Sequence, residues 1–334
     1  MKVFVAIPQN TIPMKKFLPD HVKQYLEERF EVIYLPFDRH PTREEFVQYA
    51  EDAEAVVTGW GSIPMDGELM KKTNIKLVVH TGGSVGGYVN DEIYDLGIKV
   101  ISGNDLYADS VAEGVLAYML TALRKVPDYV ECTRKGGWDI PELPTEGLLD
   151  QSVGLIGMGA ISKRVVKLLQ PFGVSLKLYS GYPIDEKYLN ENNAVQASLE
   201  EIFSTCKIVS LHSAMNERTR GMIGKEHFDL LKNGAVFLNT ARGRIIREEE
   251  MIEALKENRF RAILDVYYEE PLAQDSELRK LKNVYCIPHK GGPTADRAPF
   301  ITKKLIDDMM KFEKGESLKL EITREYAARM TVGG

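Results

Sequence analysis

The sequence predicts an α/β protein of two doubly wound parallel-sheet domains, one inserted into the other. Short β-branched runs alternate with helical patterns along nearly all of the 334 residues. Several of the runs are continuous and apolar, as strands covered on both faces must be. A helix-patterned segment after Pro293 follows the last strand and returns the chain to the first domain, which makes that domain discontinuous. A chain of this length buries two cores.

The first unit takes its strands from Val3 to Ile7, Val32 to Leu35, Ala55 to Val57, Leu77 to Val79 and Lys99 to Ile101. The second takes Ser152 to Ile156, Leu176 to Tyr179, Ile208 to Leu211, Ala235 to Asn239, Ala262 to Val266 and Val284 to Ile287. Helical patterns fall between them, among them Ser162 to Leu169 and Glu248 to Glu257. Ser110 to Leu123 is apolar nearly all round (Val111, Val115, Leu116, Met119, Leu120, Leu123), so burial between units is expected. Thr294 to Phe312 is the second connecting helix. The tail after Lys314 is charged and is expected to dock as a strand or short helix, then to fray at Gly333-Gly334.

Composition excludes several function classes. A formal net charge of −6 provides no basic field for nucleic acid or an anionic membrane. No run approaches the ~18 apolar residues of a membrane span, and the opening Met1 to Ile7 is too short for a signal segment. Cys132, Cys206 and Cys286 are far apart and lie in or beside apolar segments. They read as buried free thiols in a reducing compartment, the cytoplasm, and not as a disulfide frame or metal site.

Ser152-Val153-Gly154-Leu155-Ile156-Gly157-Met158-Gly159-Ala160-Ile161-Ser162 reads as strand, glycine turn and helix start. Gly157 allows the tight turn, Gly159 lets the backbone approach a pyrophosphate, and the helix N-terminus offers N–H groups to phosphate. The third fingerprint position is Ser162, small enough to substitute for glycine. The acid expected ~20 residues on to hold a ribose 2′-hydroxyl is missing. Ser180 stands there, and its hydroxyl suits either a ribose hydroxyl or a 2′-phosphate, so NAD(H) and NADP(H) both remain open.

Three later strand ends carry candidate chemistry. Asn239-Thr240-Ala241-Arg242-Gly243 sets a guanidinium where open parallel sheets bind ligands; its planar fork matches a carboxylate. Glu269-Glu270-Pro271 sets acids past the next strand, and Pro288-His289-Lys290 a histidine past the last. An imidazole that moves a hydroxyl proton, a carboxylate that favours the imidazolium, and an arginine that anchors a carboxylate are what 2-hydroxy-acid oxidation needs. A nicotinamide supplies the hydride chemistry.

On Ile208-Val209-Ser210-Leu211-His212, Leu238 to Gly243, Leu264-Asp265-Val266, Glu269-Glu270-Pro271 and Pro288-His289, the chain strongly resembles the D-isomer-specific 2-hydroxyacid dehydrogenases, from about Leu77 to Arg297. The resemblance implies a Rossmann dinucleotide-binding domain (103–291) inserted into a flavodoxin-like substrate domain (1–102 with 292–334). It implies Arg242 as carboxylate anchor, Glu270 as partner of the histidine and His289 as acid/base. It further implies Asp265 on the nicotinamide carboxamide, His212, Thr219, Thr240 and Ala241 against the cofactor, and main-chain N–H groups of Ala160 and Ile161 on the pyrophosphate. Ser110-Val111-Ala112-Glu113 resembles the start of the family's interdomain helix, and a homodimer is implied.

Two features depart from the family pattern. The substrate loop reads Thr81-Gly82-Gly83-Ser84-Val85-Gly86-Gly87-Tyr88-Val89, glycine-rich but without the usual acids. Gly83 and Ser84 can still offer N–H donors to a substrate carboxylate. Lys290 follows the histidine where an apolar residue is usual, and reads either as a contact to a second anionic or hydroxylated group of a larger substrate or as a side chain pointing to solvent at the domain rim. The competing class is an NADH-sensing, co-repressor-like binding protein on the same scaffold. Formate oxidation is not expected, since the family's residues for that pocket are not recognisable, and neither is the serine-feedback regulation of many phosphoglycerate dehydrogenases.

Overall fold

The continuous apolar runs become strands whose alternate residues enter cores on opposite faces of a sheet. The computed structural model describes residues 1–331. It divides into one unit of Met1–Tyr107 with the segment from Pro293 onward, and a second of Ala108–Gly292.

The first unit carries β1 (Lys2–Val5), β2 (Glu31–Tyr34), β3 (Ala55–Thr58), β4 (Leu77–His80) and β5 (Lys99–Ser102) in the order β2-β1-β3-β4-β5. All four neighbouring pairs are parallel, which is the doubly wound order of flavodoxin-like sheets. Phe4, Val56 and Val78 enter one core, while Val3, Val5, Val57 and Val79 enter the other. The helix Arg297–Glu313 covers the latter face with Ala298, Ile301, Leu305 and Met309, all buried.

The second unit carries β6 (Ser152–Ile156), β7 (Ser175–Tyr179), β8 (Ala194–Gln196), β9 (Ile208–Leu211), β10 (Val236–Asn239), β11 (Arg261–Leu264) and β12 (Val284–Cys286). Their order is β12-β11-β10-β9-β6-β7-β8, again parallel throughout. The chain leaves β6 for one side and later returns to the other, so the switch point lies between β6 and β9. Register aligns Asn239 with both Leu211 and Leu264, and Leu264 with Cys286. The residues that follow these strands therefore emerge side by side.

Some details differ from the sequence expectation. β8 carries no apolar run, with two of its three residues exposed, so periodicity could not reveal it. The expected connector runs Asn104–Leu123 and buries Ala112, Val115, Met119 and Leu123, but Val111, Leu116 and Leu120 stay only half-buried. It is apolar all round without being buried all round. The three cysteines are free. Cys206 is buried as expected, whereas Cys132 and Cys286 are partly exposed; Cys132 lies on the helix Val126–Arg134, which buries no residue. The tail forms an antiparallel bridge, Ile101 to Glu321, and a short helix, Arg324–Ala327. The frayed end expected at Gly333-Gly334 lies outside the described residues. Among the described residues no helix is long and apolar enough to cross a membrane.

Candidate active site

The glycine turn opens the site. Gly157 follows β6 with φ of 101°, a left-handed conformation that suits glycine, and a Cβ there would stand 2.6 Å from the Ser213 nitrogen. Gly159 is the N-cap of the helix Ala160–Leu169, and no side chain caps that helix. A Cβ on Gly159 would meet nothing within 4 Å, so the space over the turn is open where a phosphate would approach. Ser162 does more than stay small, because its buried hydroxyl donates to the Gly157 carbonyl and ties the turn to the first helical turn. Past β7, the Ser180 Oγ accepts from the Tyr182 N–H at 3.2 Å, and no carboxylate stands in its place. Gln196 braces the same loop through the Ile184 N–H and the Tyr182 carbonyl.

Across the switch point the end of β9 presents His212, whose N–H donates to the Ile156 carbonyl at 2.7 Å. Its Nε2 lies 2.9 Å from the Ser210 hydroxyl, while its buried Nδ1 has no partner. Burial pushes this imidazole down to about 4 from an ordinary 6.5, so it is neutral near neutral pH. The Thr240 hydroxyl, past β10, is likewise buried without a partner. Thr219 differs, since its hydroxyl donates to the Ala214 carbonyl at 2.7 Å and accepts from the Asn216 N–H, closing its own loop.

Asn239 shapes the loop that carries the arginine. Its side chain accepts from the Ala241 N–H at 3.0 Å and donates to the Arg242 carbonyl at 3.1 Å. Arg242 is half-buried, donates from Nη1 to the Ala241 carbonyl at 2.7 Å, and leaves Nε without a partner. Burial depresses its pKa, partly offset by the charge of Glu270. Gly243 allows the arginine loop to press onto the next strand end: a Cβ there would stand 1.9 Å from the Tyr267 carbonyl carbon.

Past β11 the chain turns back and Glu270 faces His289, with Oε2 2.7 Å from Nδ1. The other carboxylate oxygen accepts from the Tyr267 N–H at 3.1 Å. Burial alone would raise the Glu270 pKa; the hydrogen bond and charge of His289, the Tyr267 N–H and the charge of Arg242 outweigh it and hold the carboxyl below its usual range. The Tyr267 hydroxyl sits 2.9 Å from the carbonyls of Leu264 and Ile287, bridging the two strand ends. With Nδ1 taken up by a carboxylate, Nε2 is the ring nitrogen of His289 left for other partners.

Asp265 grips the chain just after the histidine. Its Oδ1 accepts from the Lys290 N–H at 2.6 Å and its Oδ2 from the Gly291 N–H at 2.8 Å, with the Tyr118 hydroxyl 3.4 Å from Oδ1. His289 itself adopts φ of 51°, so this clamp holds a histidine in a conformation that side chains seldom take. The Lys290 side chain is solvent-exposed.

In the first unit the glycine loop follows β4. Three successive carbonyls accept hydrogen bonds: Thr81 from the Tyr107 hydroxyl, Gly82 from the Gly103 N–H and Gly83 from the Ser102 hydroxyl. No partner exists among the described residues for the Gly83 and Ser84 N–H groups. The Ser84 hydroxyl is engaged, donating to the Thr331 carbonyl at 2.7 Å.

Residues 116–291, more than half of the chain, match the family pattern described as D-isomer specific 2-hydroxyacid dehydrogenase, NAD binding domain. The chain belongs to that family. The D-3-phosphoglycerate dehydrogenase of Methanocaldococcus jannaschii is 31% identical over 279 residues, covering 82% of this chain and 52% of the relative. The chain thus spans about half the length of that relative. The human glyoxylate reductase/hydroxypyruvate reductase is 28% identical over 253 residues, covering 75% of this chain and 77% of its own. The apo structure of the Escherichia coli D-lactate dehydrogenase superposes with a TM-score of 0.71 at 26% identity, over 97% of this chain and all of that one.

A dinucleotide of the kind this dehydrogenase family binds, NAD(H) or NADP(H), fits the second unit. Unpartnered buried atoms on His212, Thr240 and Arg242, together with the open space over Gly159, are what a bound polar ligand would satisfy. Residue reading alone passed over Asn239, Tyr267 and Tyr118, which touch the candidate residues. Only Asn239 left a trace, as a polar residue closing an apolar strand. The tyrosines act through contacts between strand ends that no local pattern encodes.

Proposed function

We propose that this protein interconverts a D-2-hydroxy acid and its 2-keto acid as a nicotinamide-dependent dehydrogenase. One observation carries the reading: the hydrogen-bonded His289–Glu270 pair lies on the strand end next to a desolvated, under-partnered Arg242. The Arg242 fork binds the substrate carboxylate and steadies charge on the C2 oxygen. His289 takes the C2 hydroxyl proton on oxidation and returns it on reduction. Glu270 fixes the histidine tautomer and favours the imidazolium. NAD(H) or NADP(H), when bound, accepts or supplies the hydride.

Gly157, Gly159, Ala160, Ile161, Ser180, His212, Thr219, Thr240 and Ala241 line the cofactor side, with Asp265 at the nicotinamide end. For Thr219 the engaged hydroxyl leaves a main-chain contact as its contribution. Gly83 and Ser84 offer N–H groups to the carboxylate, and exposed Lys290 contacts a second polar group on a larger substrate. Exposed apolar side chains at Val126, Val130, Trp138 and Leu149 support a homodimer through the second unit. Three free cysteines support a reducing, cytoplasmic setting.

The test is a screen of NADH and NADPH oxidation with glyoxylate, hydroxypyruvate, pyruvate, 2-ketoisocaproate, phenylpyruvate and larger sugar-derived keto acids. Turnover of at least one acid is expected, lowered ~10²–10⁴-fold by His289→Ala. Tight NADH binding with no turnover of any acid would overturn the enzyme reading in favour of a cofactor sensor.

A further inference from the structure

The tail beyond Lys314 is built into the glycine loop of the first unit. Buried Asp308, on the helix Arg297–Glu313, turns the chain by accepting from the Lys319 and Leu320 N–H groups, both at 2.7 Å, with Lys311 as its counter-ion. The tail then runs antiparallel to β5: Ser102 N–H donates to the Leu320 carbonyl and Ile322 N–H to the Val100 carbonyl. Ion pairs Lys99–Glu321 and Arg324–Asp95 flank it. Beyond the short helix, Asn104 Nδ2 donates to the Tyr326 hydroxyl at 2.6 Å.

The end of this path reaches the loop directly. Met330 is buried in the same core as Val85 and Val89, the two apolar residues of the loop. Ser84 donates to the Thr331 carbonyl, and Gly86 packs so close that a Cβ would stand 2.7 Å from that oxygen. On the inner side, a Cβ on Gly82 would stand 2.4 Å from the Nε2 of fully buried His80. The loop is therefore held between His80 and the tail. A glycine-rich segment loses more conformational freedom on ordering than any other, so what holds it decides whether its N–H groups point together.

We propose that residues 316–331 form a strap that keeps the glycine loop in its carboxylate-binding shape, with Met330 and Tyr326 as positioning residues. This rests on the reading of Gly83 and Ser84 as carboxylate donors. A loop released from the strap still exists but must be ordered by the substrate, which weakens binding without altering the proton-transfer groups. The strap thus acts on KM for the keto acid, and not on kcat or on cofactor affinity.

The experiment uses the full chain with an accepted keto acid. Met330→Ser weakens the core that the tail shares with Val85 and Val89, Gly86→Ala pushes the loop off the Thr331 carbonyl, and Tyr326→Phe removes the hydrogen bond from Asn104 without disturbing the core. For the first two, KM for the keto acid should rise roughly tenfold, equivalent to about 1.4 kcal/mol of lost ordering. The Kd for NADH, read by fluorescence, should stay unchanged, and Met330→Leu should restore KM. Tyr326→Phe should raise KM less, in the same direction, and its melting temperature shows that the fold is kept. Gly83→Val, which crowds the N–H groups themselves, separates the two readings. If it raises KM while the strap variants do not, the strap proposal is overturned and the loop reading stands. If none of the variants moves KM while turnover persists, both are overturned.

Discussion

Replacing Arg242 by alanine should cripple turnover while leaving the fold nearly as stable as before. In the structure this guanidinium makes one hydrogen bond, to the carbonyl of the adjacent Ala241, leaves Nε unpartnered, and sits where burial disfavours its charge. It contributes little to holding its own loop, which Asn239 braces independently. With a 2-keto acid bound, a fork on the carboxylate forms two charge-assisted hydrogen bonds, each worth about 1.5–3 kcal/mol. Losing both removes about 3–6 kcal/mol, or ~10²–10⁴ in kcat/KM. The melting temperature should move by the equivalent of about 1 kcal/mol or less, because the lost hydrogen bond to the Ala241 carbonyl is offset by removal of a charge that burial disfavours. Arg242→Lys should fall between the two, since it keeps the charge and loses the fork. Steady-state kinetics on the best substrate and differential scanning fluorimetry measure both quantities. Arg242 is not the carboxylate anchor if Arg242→Ala retains kcat/KM within about a factor of five of wild type, or if its activity loss is matched by a comparable loss of stability.

Three further outcomes follow from the geometry. Glu270→Gln replaces the carboxylate that holds His289 Nδ1 at 2.7 Å, so turnover of the keto acid should fall by roughly 10²-fold while the NADH Kd stays unchanged. Turnover equal to wild type in this variant would count against the pairing. Gly157→Ala adds a Cβ at φ of 101° and 2.6 Å from the Ser213 nitrogen, so the NADH Kd should rise by at least an order of magnitude, roughly 1.4 kcal/mol; calorimetric titration with an unchanged Kd refutes this. Fully buried His80 and His212 are pushed down to about 3 and about 4. Below pH 6.5 the unfolded chain binds protons that the native imidazoles refuse, so stability falls with acid at about 1.4 kcal/mol per pH unit for each histidine until its folded pKa is reached. His80→Gln should flatten the melting-temperature profile between pH 6.5 and 4.5, and a slope equal to wild type would show that His80 is not the cause.

How much of this was legible in the sequence depends on the range over which each feature is encoded. The parallel strands of both sheets were readable because residues such as Val236, Phe237 and Leu238 are all apolar and feed two cores in alternation. The placement of Arg242, Glu270 and His289 in the loops past three neighbouring strands was readable because each loop begins where an apolar run ends, and register then aligns the strand ends. The bracing was not readable. Asp265 lies 25 residues before the Lys290 N–H it accepts, and the Tyr118 hydroxyl lies beside the same carboxylate from 147 residues upstream of Asp265. The clamp that shapes the His289 loop is thus a property of the folded unit alone. β8 and the helix Val126–Arg134 escaped for the opposite reason, since both are local but bury too little to leave an apolar period.

The contact between Ser84 and Thr331 joins positions 247 residues apart. During synthesis the glycine loop emerges early, together with β4, yet it stays unfinished until the whole second unit and the last helix have been made. The second unit is one continuous stretch, and its two ends come together where a Cβ on Gly114 would lie 3.6 Å from the Gly291 Cα. It is therefore able to close on itself while the first unit still waits for its missing pieces. Such an order would complete the second unit before the glycine loop of the first. The glycine loop would take its final shape last, when residues 316–331 arrive.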